Sequence, residues 1–326
     1  MRKFFSAPVI LLLACLGGYG LLIPWLGFAL DDWTFLWTSL ALGLPGEEFY
    51  FTIGNNRPFT GVFYHFLVPL FGMNPLVWHL FSILMLWLSA LCLWALLRLV
   101  WPRAGRAALF AGLLFVLYPG FLVQYTPLVT SHMWLMYACL LGSFALGALA
   151  QQRRRWWLPL SAIALILSSF NLISFEYLIL PELLRPLLIW FVERQQGGAG
   201  GSLRRTIHQW LPYALLLGGV MVWRVFFFPL QMDKYQLDVL DGLRAAPLAN
   251  GLALLGQIGR DVAWDATLRA WWGALSAPFA AGLGRGARLL GLGVSLGSAG
   301  LLYGIMRIAN IYSQKNNSTK NKFSEK

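Results

Sequence analysis

The stretch "PLVWHLFSILMLWLSALCLWALL", residues 75–97, contains no Asp, Glu, Lys or Arg. A helix needs about 20 mostly apolar residues to cross the hydrocarbon layer of a membrane, which is roughly 30 Å thick. This stretch is long enough, and the charged residue Arg98 follows it directly. It therefore predicts a membrane-spanning helix that ends at a charged boundary.

The same character runs through the whole chain of 326 residues, of which 58% are hydrophobic and only 12% charged. Soluble domains have about 25% charged residues, so the composition predicts an all-α polytopic membrane protein. With residues 75–97 the apolar runs predict about eight transmembrane helices. The other seven runs are at about 4–30, 107–124, 127–150, 156–172, 174–192, 210–229 and 286–307. The first is too long for a signal-peptide core of about 7–15 residues and predicts an anchor helix.

The basic residues predict the orientation of these helices. With eight spans they fall on one side, and by the positive-inside rule that side is the cytoplasm. Both termini are then cytoplasmic, in the inner (plasma) membrane of the cell, and most acidic residues are outside. The basic residues concerned are Arg2, Lys3, Arg98, Arg103, Arg106, Arg153, Arg154, Arg155, Arg194, Arg204, Arg205 and Arg307, with the Lys-rich tail.

The formal net charge of +12 raises the question of a nucleic-acid partner. The basic residues are scattered at predicted membrane boundaries and form no continuous patch, so they favour contacts with the lipid bilayer and predict no nucleic-acid binding. Residues 1–308 form the predicted transmembrane domain. The polar residues 309–326 predict a disordered cytoplasmic tail.

Two outer loops are too long for simple turns. Residues 31–74 contain apolar pieces interrupted by Gly and Pro, which favour interfacial helices over full spans. Residues 230–285 alternate polar and apolar side chains at helical spacing, which predicts amphipathic helices on the outer surface.

An acidic pair, Asp31 and Asp32, follows the first apolar run in "LGFALDDWTFLW", residues 27–38. Such a pair often only ends a helix and solvates the chain. Here aromatic sequence follows at once, and no base is nearby in the sequence. Two adjacent carboxylates repel each other, so one can accept a proton near neutral pH or both can bind a divalent cation. Asp31 and Asp32 are therefore the candidate catalytic residues.

Two arginines are candidates for binding a phosphate. Arg57 lies where an interfacial helix is predicted to begin, and Arg224 lies near the outer end of an apolar span. A charge in a span is costly and by default functional, and a guanidinium grips a phosphate through two parallel hydrogen bonds. The alternatives are a headgroup anchor for Arg57 and snorkelling for Arg224.

Three further features have structural as well as functional explanations. Glu176, at the outer start of a helix, is a third candidate for substrate binding, although the helix dipole alone favours an acid there. Glu182 and Arg185 are three residues apart and predict an ion pair inside the membrane. His65, His79 and His132 are isolated in the sequence, so none of them is assigned as a metal ligand.

A resemblance to a known family rests on the order of several motifs. The acidic pair precedes "RPFTGVFYHFLVPLFGMNPLVWHL", residues 57–80, and "FVLYPGFLVQ", residues 115–124. This order resembles the C-type membrane glycosyltransferases, and the Arg-Pro segment is similar to their protein O-mannosyltransferase-like branch. The resemblance covers roughly residues 1–230. The chain departs from the family in length, because members usually have more spans and often a soluble outer domain.

The resemblance implies transfer of a sugar from a polyprenyl-phosphate donor to an acceptor outside the cytoplasm, with an acid of the first outer loop at the reaction centre. It leaves the sugar, the metal and the glycan, lipid or protein acceptor open. Two alternatives remain. A lipid or glycan transporter or flippase would need ionisable residues near the middle of the bilayer, which Glu182 and Arg185 provide. A non-catalytic membrane scaffold is the other.

Overall fold

The computed structural model describes residues 6–43, 57, 59–121, 123–197, 203–228 and 234–279, with scattered positions between 284 and 307. Every regular element in these ranges is helical, which confirms the predicted helical class. The predicted tail, residues 309–326, lies outside them.

The first half of the chain forms six α-helices in the described ranges, from the short α1 to the long α6. They are α1 (Ala7–Gly18), α2 (Asp31–Ala41), α3 (Thr60–Phe71), α4 (Pro75–Val100), α5 (Gly105–Val116) and α6 (Pro127–Gln152). Those of the second half are α7 (Trp157–Ser174), α8 (Ile179–Glu182), α9 (Arg185–Gly197), α10 (Leu203–Val222), α11 (Lys234–Ala245), α12 (Pro247–Arg260) and α13 (Ala270–Ser276). Short 3₁₀ and π-helical segments join or extend these helices in the described ranges. The 3₁₀ turns are Gly20–Trp25, Arg154–Trp156, Glu176–Leu178 and Ala277–Phe279, and the π-helical turns are Trp223–Phe227 and Asp261–Arg269.

Four of the described helices are long and apolar enough to cross a membrane: Pro75–Val100, Pro127–Gln152, Arg154–Ser174 and Leu203–Phe227. Within the part of the chain that the structure describes, four of the eight predicted spans are therefore supported. Of the other predicted runs, the one at 286–307 is described only at scattered positions.

Three of the remaining predicted spans are not single long helices in the described residues. The α-helix of the first run has 12 residues and gives way to a 3₁₀ turn that contains Pro24. Helix α5 ends at Val116, before the Tyr-Pro segment. The run 174–192 is divided between α8 and α9 around Pro181 and Pro186. Proline lacks the N–H group that a helix interior requires, and its ring clashes with the preceding turn.

Helices α4 and α6 form the centre of the bundle through small polar side chains. The hydroxyls of Ser82 and Thr130 are 2.9 Å apart, and the Ser89 hydroxyl donates to the Trp134 carbonyl over 2.7 Å. Helix α7 packs against the far side of α6, where the Ser143 hydroxyl donates to the Ala164 carbonyl over 2.5 Å. Such side chains allow close helix approach and satisfy polar groups within a membrane.

Short helices occupy both segments for which interfacial helices were predicted. Helices α2 and α3 have 11 and 12 residues. Helix α12 has no buried residue. The π-helical turn that follows it reaches the bundle through the Tyr118 hydroxyl, which donates to the Ala266 carbonyl over 2.5 Å.

Candidate functional site

Asp32 holds the first turn of α6 in place. Its Oδ1 accepts hydrogen bonds from the N–H groups of Leu128 and Val129, over 3.0 and 3.2 Å, and its Oδ2 accepts one from Ala29 over 3.2 Å. The natural N-cap residue, Thr126, donates its hydroxyl to the Val123 carbonyl instead. The carboxylate of Asp32 therefore caps a helix that begins almost a hundred residues later in the chain.

The environment of Asp32 changes its protonation. Its side chain is fully buried. Burial raises the pKa of the carboxyl from 3.8 to about 6; the three backbone N–H groups act in the opposite direction, and the neighbouring charge of Asp31 adds to the rise.

Asp31 is exposed, in contrast to its neighbour. The preceding residue, Leu30, has a φ of 48°, which is rare for a side chain other than glycine. Upstream, the Gly27 carbonyl lies 3.2 Å from Nε2 of His79 on α4. The chain is thus held before this turn by the contact with His79, and the turn directs Asp32 inward and leaves Asp31 accessible. Unusual backbone conformations of this kind concentrate at functional sites.

Arg57 and Glu176 form an ion pair. Nε of Arg57 lies 2.9 Å from Oε1 and 3.0 Å from Oε2 of Glu176. The guanidinium also lies over the rings of both neighbours of Glu176, at 5.0 Å from the centre of Phe175 and 4.7 Å from that of Tyr177. The segment "FEY", residues 175–177, therefore contacts Arg57 with all three side chains.

Arg224 reaches the same carboxylate from another element. Its Nη2 is 3.5 Å from Oε2 of Glu176, and its side chain is only 7% exposed. Arg224 lies in the π-helical turn that extends α10, where the Phe228 N–H donates to the Trp223 carbonyl over 2.9 Å. Turns of this type insert an extra residue into a helix and are frequent at functional sites. The structure thus brings together three residues that the sequence identified separately, and Glu176 is shared by two guanidinium groups.

An apolar crevice adjoins this cluster. It has a volume of about 490 Å³ and is lined by residues of α7 and α10 and by Phe59 and Trp223. The Phe59 and Trp223 rings are 6.0 Å apart and are sequence neighbours of the cluster, Phe59 of Arg57 and Trp223 of Arg224. The arginines therefore lie beside a surface suited to a hydrocarbon chain. Nothing in the sequence pointed to this crevice, because its wall comes from three segments that are distant in the chain.

Helix α6 connects the acidic pair to the arginine cluster. One turn beyond the amides capped by Asp32, the His132 ring contacts Phe63 of α3 at 5.1 Å and Phe175 at 5.8 Å between ring centres. His132 is 4% exposed, and its Nε2 has no hydrogen-bond partner among the described residues. The sequence could not predict this position of His132, because a single histidine in an apolar run gives no indication of what it contacts. The first turns of α6 thus form the floor between the two parts of the site.

The acidic pair provides few free ligands for a cation. Both oxygens of Asp32 accept backbone hydrogen bonds. Within the described ranges no three His, Cys, Asp or Glu side chains are grouped as metal ligands would be. Glu47 and Glu48, the other acids of the first loop, lie outside those ranges. The pair alone therefore does not fit a dedicated divalent-cation site.

The predicted pairing of Glu182 with Arg185 is confirmed. Nε of Arg185 is 2.5 Å from Oε1 of Glu182, and both side chains are at most 3% exposed. Ser168 of α7 and Ser143 of α6 add hydrogen bonds of 2.8 and 2.9 Å to the pair. The pair therefore ties α6 and α7 to the break between α8 and α9.

No protein-family model, curated protein or solved structure matches this chain.

Proposed function

We propose that the protein is a membrane glycosyltransferase that moves a sugar from a polyprenyl-phosphate donor to an acceptor on the outer face of the membrane. The observation that carries this proposal is the sharing of the Glu176 carboxylate by two guanidiniums beside an apolar crevice. Such a site suits a ligand with a phosphate at the end of a long hydrocarbon chain. The motif order that resembles the C-type glycosyltransferases supports the same reading.

The charges of the cluster favour a phosphate. Arg57 and Arg224 contribute two positive charges and Glu176 one negative charge, which leaves one positive charge beside an apolar surface. A guanidinium there binds the phosphate oxygens through paired hydrogen bonds. Glu176 keeps the two like-charged groups together when no ligand is bound.

The chemistry divides between the cluster and the acidic pair. The acceptor hydroxyl gives its proton to the Asp31 carboxylate while its oxygen forms a bond to the anomeric carbon of the sugar. The bond between that carbon and the phosphate oxygen breaks, and its electron pair leaves with the polyprenyl phosphate. Arg57 and Arg224 stabilise the negative charge that develops on the leaving phosphate. Asp31 is the proposed base because it is exposed, whereas Asp32 positions α6.

The proposed orientation follows from the charge distribution. In it the Arg-rich link between α6 and α7 and both termini are cytoplasmic, in the inner (plasma) membrane. The acidic pair and the arginine cluster then lie at the outer face, and α2, α3 and the helices after residue 234 lie along that face.

The test is an assay of the full chain in nanodiscs with a set of polyprenyl-phosphate-linked sugars and a mixed envelope extract as the source of acceptors. We expect release of polyprenyl phosphate by the wild type, and its loss when Asp31→Asn is combined with Arg224→Gln. Absence of release with every donor, although the donors bind, would contradict the transferase.

A buried polar strip on α7 favours a transporter as the second candidate. Ser168, Asn171 and Ser174 are at most 1% exposed, and Asn171 has no hydrogen-bond partner for its amide among the described residues. The strip leads from the Glu182–Arg185 pair toward Glu176. A transporter predicts movement of a fluorescent lipid-linked sugar between the leaflets of a vesicle without cleavage, which a transferase does not.

A further inference from the structure

A second cavity lies at the other end of the bundle from Glu176. Its volume is about 350 Å³, and it is bounded by α6, α7, α9 and α10. The floor consists of buried side chains, namely Phe144, Arg185 and Tyr213, whereas Leu158 and Ala162 on the rim of α7 are exposed. The cavity is therefore a crevice that opens at the surface of α7, and its size falls in the range of about 300–1,000 Å³ that ligand sites occupy.

Amide groups in the wall of this crevice have unused acceptors. Nε2 of Gln209 donates to Oε1 of Glu193 over 2.6 Å, which directs Oε1 of Gln209 away from Glu193. That Oε1 and the Oε1 of Gln151 are both buried and accept no hydrogen bond from a described residue. Buried acceptors of this kind normally have a donor. A ligand that carries hydroxyl groups would satisfy both.

The chain next to two parts of the crevice wall is strongly basic. Arg204 and Arg205 lie one helical turn before His208 and Gln209 of the wall, so each pair shares a face of α10. Three more arginines, Arg153–Arg155, follow Gln151 within four residues. Trp156 and Trp157 follow these arginines directly in the chain, and both are about half exposed. Tryptophan is enriched where a membrane meets water.

We propose that this crevice binds an anionic phospholipid of the cytoplasmic leaflet whose headgroup carries hydroxyls. One acyl chain lies along the apolar wall of α7 and α10, and the headgroup hydroxyls donate to Gln151 and Gln209. The phosphate lies beside these arginines, because clusters of basic residues at the cytoplasmic surface attract the anionic lipids of that leaflet. This site is separate from the arginine cluster around Glu176 and does not depend on the transferase proposal.

The test uses the full chain, delipidated in detergent and titrated with phosphatidylglycerol or with phosphatidylcholine of the same acyl chains. Bound lipid is counted by native mass spectrometry, and stability is followed as the thermal midpoint. We expect phosphatidylglycerol to bind in one copy and to raise the midpoint more than phosphatidylcholine does. Equal effects of the two lipids would overturn the proposal.

Two variants locate the site. Ala162→Phe fills the rim of the crevice and should lower the affinity for phosphatidylglycerol at least tenfold, whereas Ile163→Phe, at an exposed neighbour outside the wall, should bind as the wild type does. The double variant Arg204→Gln, Arg205→Gln should lose the preference for phosphatidylglycerol over phosphatidylcholine. If Ala162→Phe does not fold, the test rests on the Arg204→Gln, Arg205→Gln variant. An unchanged preference of that variant for phosphatidylglycerol over phosphatidylcholine would show that the lipid binds elsewhere and would refute the site.

Discussion

Arg57 and Glu176, 119 positions apart in the chain, form a close ion pair in which the guanidinium Nε lies 2.9 and 3.0 Å from the two carboxylate oxygens. Because Glu176 also meets Arg224, one carboxylate joins the segment before α3 to the end of α10. An anion that binds the two arginines has to share them with Glu176 or displace it. We therefore expect any affinity of the cluster for a phosphate to depend on all three residues together.

Replacing Asp31 by Asn should lower turnover by about 10²–10⁴-fold, because the proposed base is lost while size and hydrogen-bonding shape are kept. The measurement is release of polyprenyl phosphate in nanodiscs, with the thermal midpoint as a check of folding. Asp238→Asn, which neutralises another exposed acid, serves as the control and should retain full turnover. Wild-type turnover in Asp31→Asn would rule this residue out as the base.

The stability that Asp32 contributes should depend on pH. Its carboxyl has a pKa of about 6 in the folded protein against a usual value of 3.8, so the folded protein binds the proton more tightly than the unfolded chain. This contribution is fully present below pH 3.8 and is lost as the pH rises through about 6. The thermal midpoint of the wild type should therefore fall relative to that of Asp32→Asn as the pH is raised over this range. If the thermal midpoint of the wild type instead rose relative to that of Asp32→Asn, the three N–H donors would lower the pKa of Asp32 more than burial raises it.

Arg224 variants should bind polyprenyl monophosphate in the order Arg, Lys, Gln. Lysine keeps the charge but loses the planar two-point contact, and glutamine loses both. The loss for Arg224→Gln should be roughly 1.5–3 kcal/mol, the range of a hydrogen bond to a charged group. Binding is measured in nanodiscs, with Arg244→Gln as the control because Arg244 is 77% exposed in its pair with Asp241. Equal binding by all three Arg224 proteins would reduce Arg224 to an anchor.

Breaking the Glu182–Arg185 pair on one side should destabilise the protein. Glu182→Gln leaves a buried guanidinium without its anion and should cost about 3–5 kcal/mol in a denaturant titration. The double variant Glu182→Leu, Arg185→Leu should recover much of this loss, because it removes both buried charges. Asp265→Asn breaks the more exposed pair with Arg269 and should change stability by about 0–1 kcal/mol. A Glu182→Gln protein as stable as Asp265→Asn would show that the pair is not structural.

Cysteine labelling should test the orientation. Arg155→Cys, in the basic link between α6 and α7, is expected to react only from the cytoplasm, and Met73→Cys, exposed between α3 and α4, only from outside. Background from the native cysteines should be small, because Cys15 and Cys139 are buried and Cys92 is partly buried. Labelling of both positions from one side would overturn the proposed topology.

The helical membrane class could be read from the sequence, because long apolar runs have few other stable structures. Four runs became helices long enough to span a membrane. The number of spans could not be read in the same way. The mean hydropathy of a run does not show where its helix ends. Pro24 and Pro181 each remove a single hydrogen bond, which interrupts a helix without changing that mean much.

The sequence by itself identified the polar residues that stand out of place in an apolar chain, among them Asp31, Asp32, Arg57, Glu176 and Arg224. The tertiary structure alone decided how they are used. Asp32 became a cap for α6 because the start of α6 presents unpaired N–H groups to it. The two arginines and Glu176 came together because a charge partly withdrawn from water is stabilised by an opposite charge, and that partner can come from any distance along the chain once the helices have packed.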